Sequence, residues 1–563
     1  MADVEPRTVP CRGTASRVRP SRPLPNRAVI ARVAWLAALA FVGPAGAQVQ
    51  AGAAASDAGI EAACAALPSE DFAAVPDAPT QVTAARFVPA SPRQPAHCEV
   101  QAYVSPHIGF ELRLPARDWN GKFAHVGCGG FCGVIFPTGC DAVLGRGYAC
   151  VATDMGHKST VLDAKWAYDN LQAEIDFAYR ATHVVTLAGK AITERFFGKA
   201  PRRAYFVGCS TGGRQGMVEA QRFPWDYDGI VSGAPVINET GDGMALLWNV
   251  ASTHDQDGKP LLSADDLKRV HEAAVARCDL DDGVRDGLIG DPRRCGFDPA
   301  ELACAAGASG NCLTKVQADA VRKVYTGPVD SKGNMLYTGG ALPGSELNWI
   351  GNYVASDGGR STYYRFMTDL FRFMGFMPDP GPSWTIDQFD WDSDYRRLDL
   401  MESLYSGSNP DLRRFKARGG KLLAYQGWAD QSVLPLNVVD YYETAEKTMG
   451  GRTATQEFFR LFMIPGMNHC VGGEGAYAVD YLSHLEAWVE QGQAPEMMLA
   501  VRPKPEATPR PQYGAPTYTP DQVEFSRPLY PYPLQPKFKG KGDIRDAANY
   551  LPQAPPPKPA AAK

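Results

Sequence analysis

Ala204-Tyr205-Phe206-Val207-Gly208-Cys209-Ser210-Thr211-Gly212-Gly213 is the stretch whose reading decides the fold of this chain. A short apolar run, Ala204 to Val207, reads as a strand; it enters Gly208-Cys209-Ser210-Thr211-Gly212, a G-x-S-x-G pattern, and Gly213 to Ala220 reads as the following helix. A strand that turns sharply into a helix at a serine presents the hydroxyl above the end of a sheet, and flanking glycines leave room for neighbouring backbone. Upstream, Ile175, Ala178, Tyr179, Thr182, Val185 and Leu187 follow helical spacing, and no Gly or Pro falls between Ala164 and Gly189. That pattern predicts one long helix ending near Phe197. Lys122 to Val126 and Tyr148 to Ala152 read as earlier strands, and Lys421 to Tyr425 and Phe458 to Ile464 as later ones.

Strand, helix, strand, elbow, helix is the order of a parallel sheet covered by helices. The fold class is therefore α/β, an α/β-hydrolase fold with a large inserted lid domain. The insertion is read at residues 237–408, where βα rhythm gives way to Asp, Gly, Cys and aromatic residues; the catalytic domain takes 48–236 and 409–563. Beyond Pro503 a Pro-rich tail is expected to wrap the surface, and Gln553 to Lys563 to lack packed structure. At the other end, seven arginines up to Arg32, an apolar run from Val33 to Val42 and Ala45-Gly46-Ala47 predict an export signal cleaved after Ala47. Cleavage takes the net charge from -5 to -10, because seven arginines leave with only Asp3 and Glu5. An acidic chain with 45% hydrophobic and 21% charged residues suits neither nucleic acid nor, once the signal is gone, a membrane. The expected location is secreted or periplasmic.

A serine hydroxyl needs a base to take its proton and a third group to orient that base. In this fold class the order is serine, acid, histidine. Gly427-Trp428-Ala429-Asp430 follows one late strand and Pro465-Gly466-Met467-Asn468-His469 follows the next, so Ser210, Asp430 and His469 are the expected triad. The oxyanion donors are expected to be the N–H of Thr211 and a backbone amide of Gly127-Cys128-Gly129-Gly130-Phe131, with Gly130 first and Gly129 second.

Thirteen cysteines become twelve when Cys11 leaves with the signal, an even number suited to disulfides in an exported protein. Sequence proximity suggests Cys64 with Cys98, Cys278 with Cys295, Cys304 with Cys312, and Cys128, Cys132, Cys140 and Cys150 among themselves, which leaves Cys209 and Cys470 for each other. The alternative for the 128–150 group is a zinc site.

Cys209-Ser210, Asp430 and His469-Cys470, together with Phe223-Pro224 and Asp228 to Pro235, resemble the tannase and feruloyl esterase family, which also includes the bacterial hydrolase of mono(2-hydroxyethyl) terephthalate. The chain departs from the resemblance at Leu529-Tyr530-Pro531 and Tyr550-Leu551-Pro552, where members often carry a cysteine pair. The resemblance implies a serine carboxylic ester hydrolase acting on small aromatic esters, feruloyl, chlorogenate or galloyl, through an acyl-serine, without an organic cofactor. It also implies a structural Ca²⁺ in the lid, held by side chains of Asp279, Asp282 and Asp286 and by backbone oxygens of Val284 and Leu288. The cluster is not an EF-hand, since Gly290 stands where the twelfth-position Glu belongs. Some lid aromatics are expected to stack on the acyl group, and Arg365 or Arg372 is a candidate partner for a substrate carboxylate, although a structural ion pair suits either better. Two alternatives remain: a terephthalate-monoester hydrolase, and a non-catalytic secreted binding protein on the same fold.

Overall fold

The structure, a computed structural model, describes residues 57–92, 94–305, 310–356, 359–507 and 518–555. The expected export signal lies outside these residues. Nine strands form one sheet in the order β1-β2-β3-β5-β4-β6-β7-β8-β9. The first three, β1 (Thr80–Val88), β2 (His97–Val104) and β3 (Ile108–Pro115), are an antiparallel meander that joins β5. The other six, β4 (Lys122–Val126), β5 (Ala149–Thr153), β6 (Arg203–Cys209), β7 (Gly229–Gly233), β8 (Lys421–Gly427) and β9 (Phe459–Ile464), run parallel to one another. Every residue of β4, β5 and β7 is buried, as expected of parallel strands covered on both faces. The segment between β7 and β8, the predicted insertion, adds no strand to this sheet and consists largely of helices and short turns.

Two expectations need correction. The predicted long helix is present without a break from Leu171 to Phe197, but it is not regular throughout: a π-turn at Asp176–Arg180 separates Leu171–Ile175 from Ala181–Phe197. Arg214, fully buried in the helix Thr211–Arg222, donates to the carbonyls of Phe177 and Ala178 and lies over the Phe177 ring. A π-turn changes the i→i−4 pairing and lets a side chain from elsewhere take the carbonyls, so its cause is not local. The tail is also more regular than expected: β10 (Met498–Pro503) pairs with β11 (Val523–Leu529), and β12 (Gln535–Phe538) with β13 (Tyr550–Gln553). Gln553 is thus a paired strand residue, while 556–563 lie outside the described residues.

The described residues contain six disulfides: Cys64–Cys98, Cys128–Cys132, Cys140–Cys150, Cys209–Cys470, Cys278–Cys295 and Cys304–Cys312. The pairing within 128–150 overturns the zinc alternative, because sulfurs bonded to each other cannot act as thiolate ligands.

Candidate active site

Ser210 sits between β6 and the helix Thr211–Arg222 with φ 65° and ψ −127°, a conformation that L-residues adopt only under strain. The glycines make this possible. A Cβ on Gly208 would lie 2.4 Å from the Gly212 carbonyl oxygen, and one on Gly213 would lie 2.2 Å from that of Gly233. Ser210 N–H donates to Gly233 O at 3.0 Å, which ties the elbow to the neighbouring strand.

The loops after β8 and β9 bring Asp430 and His469 together, with His469 Nδ1 2.9 Å from Asp430 Oδ2. Asp430 is 1% exposed and its charge is met: Oδ1 accepts from Ser432 N–H at 2.7 Å and Val433 N–H at 3.0 Å, and Oδ2 from Gln426 Nε2 at 3.0 Å. An aspartate on Nδ1 selects the tautomer whose Nε2 carries the lone pair. Ser210 Oγ makes no hydrogen bond to His469 among the described residues, but the two line the same cavities; such bonds commonly tighten only when substrate binds.

The glycine loop after β4 stands opposite the elbow. Cys128 N–H is used by Gln215 and Phe131 N–H by Val161 O, so the loop amides left without a hydrogen-bond partner among the described residues are those of Gly129 and Gly130. Gly130 has φ +56°, a Cβ there would lie 2.3 Å from Val161 O, and its carbonyl accepts from Thr211 Oγ1 at 2.7 Å. Cys128–Cys132 closes this loop on itself.

Two cavities meet at Ser210, His469 and Gly130. One, of about 240 Å³, lies under the insertion and is lined by Tyr363, Phe366, Met367, Leu370, Leu246 and Val433 among others. The second, about 710 Å³, is bordered by Cys128, Phe136, Thr138 and Cys470. Among the described residues the smaller cavity has no Lys or Arg in its wall; besides His469, its ionisable residues with a charged form are Glu239 and Asp242. Glu239 pairs with the buried Arg214 at 3.1 Å, and burial pushes the Asp242 carboxyl well above the usual carboxylate range. Arg365 is exposed, and Arg372 donates Nε–H to Trp384 O at 2.8 Å; neither lines either cavity. Of the insertion's aromatics, Tyr363 and Phe366 face the small cavity, while Phe371, Phe376, Trp384 and Phe389 pack on one another.

A family model described as "Tannase and feruloyl esterase" matches residues 93–552. The chain belongs to the tannase and feruloyl esterase family. Among the relatives of this family is a mono(2-hydroxyethyl) terephthalate hydrolase of Piscinibacter sakaiensis, 34% identical over 88% of this chain and 92% of that protein. Another is a probable feruloyl esterase of Arthroderma benhamiae, 32% identical over 86% of this chain and 91% of that protein. A solved structure, feruloyl esterase B from Aspergillus oryzae, superposes with a TM-score of 0.76 at 27% identity, covering 88% of this chain and all of that one.

The expected calcium ligands of this family gather in the turn Asp279–Asp282 and the loop after it. Asp279 Oδ1 accepts from the N–H groups of Asp286 and Gly287, both at 3.1 Å, and Asp282 Oδ1 from Val284 N–H at 2.9 Å. The carbonyls of Val284 and Leu288, both on buried residues, accept no hydrogen bond among the described residues. The donor set is therefore all oxygen with unsatisfied members, which fits a hard cation, but Arg527 Nη2 lies 2.5 Å from Asp286 Oδ2 and must yield to an ion. Sequence reading missed this tail arginine, because nothing local links it to the turn. Among the described residues, the group of His, Cys, Asp and Glu side chains whose ligand atoms all lie within 4.8 Å of one another is His183, Glu219 and Asp226, not the three aspartates of the turn, and there His183 Nδ1 is already hydrogen-bonded to Asp226 at 2.6 Å.

Proposed function

We propose that this chain is an exported carboxylic ester hydrolase that cleaves esters of an uncharged, single-ring aromatic acid through an acyl-Ser210 intermediate. The observation that carries the reading is the 2.9 Å contact between the buried Asp430 and the half-buried His469, beside a strained serine at the junction of two cavities. His469 Nε2 takes the Ser210 proton as Oγ adds to the carbonyl carbon, then gives it to the departing alcohol. Water, deprotonated by the same nitrogen, releases the acid and restores the serine. Asp430 holds the tautomer and offsets the imidazolium charge. The N–H groups of Thr211 and Gly130 meet the oxyanion, with Gly129 as the neighbouring donor.

The small cavity takes the acyl ring against Tyr363 and Phe366, and the wide one takes the alcohol. A terephthalate monoester would bring a second carboxylate into a wall without a cation, where desolvation costs several kcal/mol or more unless a partner compensates. Six disulfides support an oxidising destination. The lid turn is proposed to hold Ca²⁺ through Asp279, Asp282, Asp286 and the carbonyls of Val284 and Leu288; the ion's role is structural.

The test is a hydrolysis panel of methyl ferulate, chlorogenate, methyl gallate and mono(2-hydroxyethyl) terephthalate, run on the wild type and Ser210→Ala. Phenolic esters should be turned over by the wild type alone. Preference for the terephthalate monoester would overturn the acyl assignment, and activity surviving in a folded Ser210→Ala would overturn the mechanism.

A further inference from the structure

The insertion roofs the small cavity, and one of its side chains also reaches the two loops that carry Asp430 and His469. Asn348 lies in the short turn Glu346–Trp349. Its Nδ2 donates to Asn468 Oδ1 at 2.6 Å, and Asn468 Nδ2 donates back to Asn348 Oδ1 at 2.7 Å, so the two amides form a reciprocal pair. The same Asn348 Nδ2 is 3.4 Å from Ala429 O. Asn468 immediately precedes His469, and Ala429 immediately precedes Asp430.

Both ends of this contact are shaped for it. On the insertion side, Glu346 is fully buried, accepts from Gly344 N–H at 2.9 Å and from His271 Nδ1 at 3.0 Å, and Trp349 donates its indole N–H to Ser345 Oγ at 3.1 Å. The turn that presents Asn348 is therefore fixed by its neighbours. On the other side, the loop carrying His469 contains Gly466, Gly472, Gly473 and Gly475 and is intrinsically soft. A Cβ on Gly473 would lie 2.6 Å from Asn468 Oδ1, so that glycine leaves room for the amide. The Cys209–Cys470 bridge ties the loop on one side of His469, and an anchor on the other side matters as well, because misplacing a general base by about 1 Å can cost on the order of a hundredfold in rate.

We propose that Asn348 is a positioning residue of the insertion that sets the orientation of His469 through its reciprocal amide pair with Asn468. This rests on the reading of His469 as the base. The insertion thereby completes the proton-transfer geometry as well as enclosing the acyl group.

The experiment compares wild type, Asn348→Ala, Asn468→Ala and the double variant on methyl ferulate, alongside the rate at which a fluorophosphonate labels Ser210. Each single variant should lose about tenfold in kcat and in labelling rate with KM held within about twofold, and the double variant should be no worse than the worse single, since the pair acts as one unit. Asn348→Asp, which keeps the shape, offers a second readout if the alanine variant fails to fold. A carboxylate placed against Asn468 and Ala429, the residues that precede His469 and Asp430, favours the imidazolium and should move the acid limb of kcat/KM to higher pH. Unchanged kcat in a folded Asn348→Ala, a loss confined to KM, multiplicative losses in the double variant, or an unmoved acid limb in Asn348→Asp each overturn the inference. An unreactive wild-type serine overturns the esterase reading and this inference with it, whereas a reactive wild type with unaffected variants overturns the inference alone.

Discussion

His271 shows how one side chain can couple the insertion to the loop that bears His469. Its Nδ1 meets Glu346 at 3.0 Å and its Nε2 meets Glu474 at 3.0 Å, five residues after His469. Burial opposes the charged ring, but the hydrogen bonds and charges of the two carboxylates prevail and push the histidine up to about 9. A folded-state value above the unfolded value of about 6.5 means that the bonus is complete below pH 6.5 and is lost as pH rises through 9. Because the Glu474 side chain is 50% exposed, its share is screened, and the whole effect should be on the order of 1 to 2 kcal/mol. The melting temperature of wild type minus that of His271→Gln should therefore be largest near pH 6 and shrink toward pH 9.5. A gap that stays constant across that range would show that His271 contributes packing alone. The placement of Ser210, Asp430 and His469 at the ends of strands of one sheet was legible in sequence because an elbow needs glycines and each loop follows a largely apolar strand. Asn348 and His271 were not, since an amide or imidazole in a turn-rich segment carries no pattern until the fold supplies its partner.

Among the elements, those with local causes were readable and those with distant causes were not. β4, β6, β8 and β9 announce themselves as buried apolar runs, and the capping glycines of the elbow follow from steric need. The π-turn at Asp176–Arg180 lies where Arg214 arrives from another helix, so helical spacing foresaw the helix that runs from Leu171 to Phe197 but not the π-turn inside it. The lid turn Asp279–Asp282 is an intermediate case: its carboxylates are visible in sequence, but Arg527 of β11 and Lys537 of β12, which donates to Asp282 O at 2.9 Å, are not. An ion bound there would draw Arg527 off Asp286 and satisfy the carbonyls of Val284 and Leu288. Binding that favours the folded state adds about 2.7 kcal/mol at a hundredfold excess over Kd, so exhaustive chelation should lower the melting temperature by several degrees and added Ca²⁺ should restore it. A melting curve indifferent to both treatments would leave the turn as an Arg- and Lys-neutralised acidic loop and remove calcium from the proposal.

At the scale of the molecule, Cys209–Cys470 is the covalent counterpart of the amide latch. Ser210 leaves β6 and His469 follows β9, with β7 and β8 between those strands in the sheet, so their relative placement depends on every intervening strand contact. The disulfide bypasses that chain of contacts by joining the residues next to each, 261 apart in sequence, with Cα atoms 5.9 Å apart. Cross-linking so distant a pair restricts the unfolded chain by up to about 5 kcal/mol in the loop-entropy model, which is a stability effect. The positional effect is separate and can be isolated by measuring Cys209→Ala with Cys470→Ala well below its melting temperature, where the sheet is intact. If the bridge also limits drift between Ser210 and His469, the proposed nucleophile and base, kcat should fall about tenfold there while circular dichroism is unchanged, and fluorophosphonate labelling of Ser210 should slow in parallel. Undiminished turnover in the folded variant would assign the bridge to stability alone, leaving Asn348 and the Asp430 contact to hold His469 in place.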